Sequence, residues 1–460
     1  MIGSFSLAEL MPVLGARLGA AEGADIRIAR VSTDTRKIQP GDLFVALRGE
    51  NFDAHDFVAQ AQRQGAVAAV VERLLPLDIA QLIVADTRLA LGAIAQYNRT
   101  FFAGPLIAVT GSSGKTTVKE MLATILAAAG PTLSTKGNLN NDIGVPLTLF
   151  ELEQQHRYAV IEMGASGPGE IDYVSGLARP DVAVLNNAFG AHLEGFGSLQ
   201  GVVRAKGEIF NGLNAGGTAV VNADDPHADY WLRQLELRRV LCFGLERSDV
   251  DVTATGLFYQ PSGCHGFELV LGQQRAPVHL QVLGRHNVAN ALAAAAAAFA
   301  AGLDLDVIVQ GLERFEAVAG RMKPLPGAAG CRVIDDSYNA NPASVKAAID
   351  VLAGLPGERV LVLGDMAELG PDAAQQHAEV GVYAAAAGID RFCAAGPLCR
   401  HAIEAYRRAG GVGGQSFDNR ADLTSTLNTL AHARMTLLIK GSRSAAMDQV
   451  VSGLTQGDSH

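Results

Sequence analysis

Leu106-Ile-Ala-Val-Thr110 runs directly into Gly111-Ser-Ser-Gly-Lys-Thr-Thr117, an apolar stretch that breaks into a glycine loop and then a helix-forming segment. The apolar stretch predicts a buried strand. Gly111 and Gly114 let the backbone N–H groups of the loop, Ser112 and Ser113 included, close on anionic oxygens. Lys115 adds a point charge where terminal phosphates would lie, and Thr116, followed by Thr117, offers a hydroxyl to Mg²⁺. The usual pattern has a glycine five residues before the second one, where this chain has Val109. A plain glycine-rich turn between strand and helix is the competing reading.

The rest of the chain fits a nucleotide-dependent protein acting on small molecules. At 460 residues it exceeds one hydrophobic core, and 48% hydrophobic with 18% charged residues is an ordinary globular composition. A net charge of −10 without clustered Lys and Arg argues against a nucleic-acid partner. Cysteines at 242, 264, 331, 393 and 399 have no metal-ligand spacing and suggest no disulfide framework. That cysteine usage makes a reducing cytoplasm the expectation, and no secretory pattern is visible at the N-terminus. The most apolar window, 291–301, falls short of the roughly 20 residues of a membrane span and reads as an internal alanine helix.

Apolar runs alternating with helical patterns predict an α/β fold of three domains. Residues 1–85 form a small α/β substrate domain. Residues 86–313 form a central P-loop domain with a parallel sheet, its strands at 106–110, 158–161, 181–185, 218–221 and 239–243, with antiparallel hairpins added over 249–283. Residues 314–460 form a Rossmann-like domain without the dinucleotide fingerprint, entered through a turn-rich connection at 320–327.

Several polar residues fall at the predicted carboxyl ends of strands, where ligands gather in open α/β sheets. Glu162 ends the strand after Tyr158 and suits a metal or water-orienting carboxylate, although a charge at a strand end can be merely structural. His192 follows the strand ending at Leu185 and could reach a metal, or be a surface loop histidine. Lys206 reads by spacing alone as a solvated helix lysine. Asn287 and Asn290 open the alanine helix, where amides cap helices or pair with an adenine edge. Asp336, Tyr338 and Asn339 exceed what capping of the Pro342 helix needs. Lys440, Ser442 and Arg443 suit a carboxylate, or make a simple strand-to-helix turn.

Taken in order, Thr110-Gly-Ser-Ser-Gly-Lys-Thr-Thr117, Lys136-Gly-Asn-Leu-Asn-Asn141, Glu162-Met-Gly, His192-Leu-Glu-Gly-Phe196, Gly284-Arg-His-Asn-Val-Ala-Asn290, Asp336-Ser-Tyr-Asn-Ala-Asn-Pro342 and Lys440-Gly-Ser-Arg-Ser444 resemble the Mur ligases. The resemblance runs from about Ser32 to Met447, and the short P-loop with Val109 is usual in that family. It implies an ATP-dependent amide ligase of cell-wall synthesis that joins D-alanyl-D-alanine to a UDP-N-acetylmuramoyl tripeptide through an acyl phosphate and a tetrahedral intermediate. Lys115 and Arg321 would stabilise the transferring phosphoryl group. Thr116, Glu162, His192 and Lys206, the last carrying a carbamate in several relatives, would hold two Mg²⁺. Asn287, Asn290, Asp336, Tyr338 and Asn339 would contact ATP. Ser32, Thr33, Asp34, Thr35, Arg36, Asn51 and His55 resemble the UDP-binding segments; Asn138, Asn140 and Asn141, and Lys440, Ser442 and Arg443, resemble further substrate contacts. The chain is expected to work as a monomer. The sibling enzyme adding the third amino acid is the alternative, and a P-loop ATPase or regulatory nucleotide-binding module is the alternative from another class.

Overall fold

The computed structural model describes residues 1–19, 23–49, 52–190 and 193–455; Asn51 and His192 lie outside the described residues. The central unit is a nine-stranded sheet in the spatial order Gln274–Leu283, Cys264–Leu271, Val252–Tyr259, Arg239–Phe243, Thr218–Asn222, Val182–Leu185, Leu106–Thr110, Tyr158–Glu162 and Thr132–Ser134. The first three strands pair antiparallel with one another, as the period-two pattern over 249–283 predicts, and the remaining strands are parallel. The register sets Glu162 opposite Val109 and Leu185 opposite Thr110. Their carboxyl ends therefore open at one edge, beside the glycine loop.

Alternation of side chains along each strand divides the core in two. Ile107, Val109, Val160 and Val184 pack on one face beneath the P-loop helix Lys115–Ala129 and the helix Arg285–Ala300. Ala108, Ile161, Ala183 and Leu185 pack on the other, under helices Thr87–Arg99, Gly144–Phe150 and Glu170–Ala178. Ala291 through Ala298 are fully buried, so the alanine helix is internal as expected; its methyl side chains allow close approach to the sheet and to the P-loop helix. Among the described residues, no helix is long and apolar enough to cross a membrane.

The N-terminal unit is a five-stranded sheet, Arg17–Leu18, Ala80–Ile83, Ala68–Val71, Asp42–Val45 and Arg30–Ser32. Its inner residues Leu43, Val45, Val70 and Leu82 join the same apolar cluster as Leu91 and Ile94 of the helix Thr87–Arg99. The C-terminal sheet has the order Lys323–Pro326, Arg332–Asp336, Met435–Lys440, Glu358–Gly364, Arg391–Ala395 and Gly414–Phe417. The connection at 320–327 is thus more than a turn: Lys323–Pro326 is an antiparallel edge strand. Pro324 and Pro326 disguise it, because proline cannot donate to a ladder and is tolerated at an edge.

Candidate active site at the sheet edge

The glycine loop is held open from behind. Ser113 N–H donates to Asn187 Oδ1 (2.8 Å), Ser112 N–H donates to the Asn187 carbonyl (3.0 Å), and Asn186 Nδ2 donates to the Ser113 carbonyl (3.0 Å). The same Asn186 amide reaches Asn290 Oδ1 (3.0 Å), Asn290 Nδ2 donates to Asn287 Oδ1 (2.9 Å), and Asn287 Nδ2 ends the chain on the Leu283 carbonyl (2.7 Å). Asn287 and Asn290 are buried and brace the loop from the alanine helix. Gly114, at φ +77°, has no room for a Cβ, which would stand 2.4 Å from Asn290 Oδ1. Asn186 and Asn187 were not singled out in the sequence; the signal was two amides directly after a buried strand at this edge.

Lys115 Nζ donates to the Gly111 carbonyl (2.7 Å). Burial pulls its pKa down; the Glu162 carboxylate opposes that, and the Arg321 charge adds to it. Glu162 is buried, with Oε1 accepting from Asn140 Nδ2 (2.8 Å) and Oε2 without a hydrogen-bond partner among the described residues. A buried carboxylate oxygen with an open lone pair is suited to a cation. Lys206 is not the solvated lysine that its spacing suggests: it is 2% exposed and its ammonium lies 5.5 Å from the centre of the Phe196 ring. Burial first, and the charge of Lys115 second, lower its pKa to about 7 against the pull of Glu170, Glu208 and Glu162. Near neutral pH an unprotonated amine is therefore a major form.

The C-terminal unit reaches into this edge at two points, the turn around Arg321 and the start of the helix Pro342–Ala353. Gly320 N–H donates to Asp335 Oδ2 (2.8 Å), Met322 N–H donates to Asp336 Oδ1 (3.2 Å), and Tyr338 N–H donates to the Gly320 carbonyl (3.2 Å). So fixed, Arg321 lays its guanidinium 4.0 Å from the centre of the Tyr338 ring and donates through Nη2 to Thr116 Oγ1 (3.2 Å). Arg443 approaches the same ring at 5.9 Å. Asn341 caps the helix Pro342–Ala353 and extends Nδ2 to Ser113 Oγ at 3.4 Å. Lys440 is buried and donates to Asp336 Oδ2 (2.6 Å) and the Asn339 carbonyl (2.9 Å), a pairing set by the register that places Asp336 opposite Lys440. Ser442 Oγ donates to the Asp365 carbonyl (2.6 Å), while Asn339 and Arg443 are exposed.

The other candidates lie further out. Asn138 and Asn141 are exposed in the loop that carries Asn140, and Asn141 Oδ1 accepts from Gly144 N–H (2.8 Å) at the start of a helix. In the N-terminal unit, Ser32 Oγ accepts from Asp34 N–H (3.2 Å), and Asp34 caps the 3₁₀ turn Thr35–Lys37 and pairs with the exposed Arg36 (2.9 Å). Thr33 stands between them, half-buried. His55 is buried, its Nε2 accepting from Glu72 N–H (2.8 Å) and its Nδ1 2.6 Å from Asp53 Oδ1, so it braces its own loop. None of these is in contact with the glycine loop in the hydrogen-bond pattern.

Comparison with known proteins agrees with this architecture. Family models described as the Mur ligase family catalytic domain, the Mur ligase middle domain and the Mur ligase glutamate ligase domain match residues 27–97, 109–298 and 320–443. The chain belongs to the Mur ligase family. Among individual relatives, it is 49% identical to the UDP-N-acetylmuramoyl-tripeptide–D-alanyl-D-alanine ligase of Escherichia coli K12 over 98% of this chain and 99% of that one. The Bacillus subtilis enzyme of the same name is 33% identical over 93% of both chains. A crystal structure of MurF from Acinetobacter baumannii superposes with a TM-score of 0.92 at 39% identity, covering 99% of each chain. The Thermotoga maritima MurF ligase in complex with ADP gives 0.83 at 29% identity over 92% of this chain and 96% of that one.

Proposed function

We infer that this chain is an ATP-dependent amide ligase of peptidoglycan precursor synthesis, adding D-alanyl-D-alanine to UDP-N-acetylmuramoyl-tripeptide with release of ADP and phosphate. The relatives that it matches over nearly their whole length carry that name, and one holds ADP. The observation that carries the residue-level reading is the bond from Arg321 Nη2 to Thr116 Oγ1 at 3.2 Å, which joins the C-terminal unit to the P-loop. Residues 1–85 hold the UDP moiety, 86–313 the ATP, and 314–460 the dipeptide and the closure over ATP. The unpaired thiols of all five cysteines fit a cytoplasmic location.

A carboxylate is a poor electrophile, so the substrate carboxylate oxygen first takes the γ-phosphoryl group as its bond to ADP breaks. The dipeptide amine then attacks the carbonyl carbon, loses its proton, and expels phosphate. Two anions must meet in the first step, which is why cations converge at this edge. The Ser112 and Ser113 N–H groups are taken by Asn187, so the N–H groups at the start of the helix Lys115–Ala129 are the ones that would meet the phosphates, and Lys115 and Arg321 face the phosphoryl group in flight. Thr116 Oγ1 and Glu162 Oε2 would hold Mg²⁺, which would supply neutralisation of the negative charge that gathers here. Lys206, about half unprotonated near pH 7, can take up CO₂ as a carbamate with loss of one proton, which would turn a repelling cation into an anionic oxygen donor for a second Mg²⁺. Closure by the Arg321 turn excludes water from the acyl phosphate.

The test is ADP release with the UDP-muramoyl tripeptide, with and without D-alanyl-D-alanine. Turnover requiring both is expected. Turnover without the dipeptide, or with a single amino acid in its place, overturns the assignment in favour of an uncoupled ATPase or of the sibling that adds the third residue.

A further inference from the structure

Two lysines are among the largest fully buried side chains of the molecule, Lys119 and Lys206, and only the second has a part in the chemistry above. Lys119 stands one helical turn beyond Lys115 on the P-loop helix. It is 1% exposed. Its ammonium donates to the Thr135 carbonyl (2.8 Å) and to the carboxylate of Glu120.

Burying an ammonium is costly unless it is fully bonded, so this lysine's retention needs a cause. Thr135 supplies one. It directly follows the edge strand Thr132–Ser134, is itself buried, and its Oγ1 accepts from the backbone N–H of Glu162 (3.0 Å). Directly after it comes the loop 136–141, whose Asn140 grips Glu162 Oε1 (2.8 Å). The Glu162 backbone and side chain are thus both held from one segment, and that segment is tied to the P-loop helix by Lys119.

We propose that Lys119 is a positioning residue for Glu162: through the Thr135 carbonyl it fixes the segment that sets both the backbone and the carboxylate of the metal-binding glutamate. The inference rests on the reading of Glu162 as a Mg²⁺ ligand. Outer partners of metal ligands of this kind typically change metal affinity by roughly 10- to 100-fold when lost.

The experiment is calorimetric titration of ADP into the full-length protein at increasing Mg²⁺, which reads metal requirement without turnover. Lys119→Met keeps length and removes the donor; Thr135→Val removes the hydroxyl and keeps shape; Glu162→Gln is the control. Lys119→Met and Thr135→Val are each expected to raise the Mg²⁺ concentration for half-maximal ADP binding about 10-fold, and Thr135→Ser to restore it. Because the two act in series, the double variant is expected to match the stronger single one instead of multiplying them. If Glu162→Gln leaves the Mg²⁺ requirement unchanged, the reading of Glu162 fails. If Glu162→Gln raises it while Lys119→Met lowers only thermal stability, or the double variant multiplies the singles, the proposal fails and the reading stands. Should Lys119→Met not accumulate as folded protein, Thr135→Val decides alone: an unchanged Mg²⁺ requirement overturns the proposal.

Discussion

Replacing Tyr338 separates the two things that the Arg321 turn does. The turn itself is fixed by Asp335, Asp336 and the Tyr338 backbone, none of which depends on the ring. The ring, 4.0 Å from the guanidinium, fixes the direction in which Arg321 points toward Thr116 Oγ1. A stacked, half-buried cation–π contact contributes about 0.5–2 kcal/mol, so Tyr338→Ala is expected to lower kcat roughly 2- to 30-fold. Tyr338→Phe keeps the ring and is expected to stay near the parent. Arg321→Lys keeps the charge but loses the planar stack and the forked donor geometry, and is expected to fall at least as far as Tyr338→Ala. The assay is coupled ADP release at saturating ATP, tripeptide and dipeptide, with thermal unfolding alongside. The reasoning is refuted if Tyr338→Phe falls as far as Tyr338→Ala, or if Tyr338→Ala shifts only the melting temperature and leaves kcat unchanged.

Lys206→Met is expected to abolish activity and to raise stability at pH 6, on the order of 3–5 kcal/mol by chemical denaturation, because it removes a buried ammonium whose pKa lies near 7. The sign follows from proton binding: between about pH 7 and the unfolded value of 10.5 the unfolded chain holds the extra proton, so the parent gains stability as pH rises through that window and the variant does not. In the parent, labelled CO₂ trapped on Lys206 is expected to increase from pH 6 to pH 8 with the unprotonated amine; mass spectrometry showing no adduct at either pH counts against the carbamate. Gly114→Ala is expected to weaken ADP binding at least 10-fold by calorimetry, since the new methyl meets Asn290 Oδ1 in a left-handed backbone. Asp336→Asn strands the buried Lys440 ammonium and is expected to cost about 3–5 kcal/mol in denaturant titration.

What could be read from the sequence was what local chemistry determines. The glycine loop, the parallel strands at 106–110 and 182–185, the added hairpins and the internal alanine helix all follow from periodicity and backbone permissiveness within a dozen residues. The Asp336–Lys440 pair did not, because 104 residues separate its members and only strand register places them opposite each other. The asparagine chain from Leu283 to Ser113 is hidden for the same reason: capping is the local reading of Asn287 and Asn290, but neither side chain caps the helix, and the bond from Asn186 to Asn290 exists only once the alanine helix packs beside the loop. Lys119 and Lys206 look alike in sequence, as lysines on amphipathic helices. Burial separates them from ordinary surface lysines, and burial is a property of the packed sheet.

The same burial explains how the site favours anions before any is bound. Lys115, Lys206 and Arg321 lie close enough that Arg321 lowers the pKa of Lys115 and Lys115 that of Lys206. Against them stands Glu162, with one oxygen held by Asn140 and the other free. Such an edge is under electrostatic stress in the free protein, and arrival of a polyphosphate and a carboxylate relieves it, so part of the stability forgone in folding returns as affinity for the two anions that must react. The stress is directed: of these cations Arg321 is the one delivered by the C-terminal unit, and withdrawing it would remove a repelling charge from Lys115 together with the phosphoryl contact proposed for it. Any movement of that unit would therefore tune the lysines of the P-loop edge as well as uncover them, and the pKa of Lys115 should rise when Arg321 is replaced by Ala even with no ligand present.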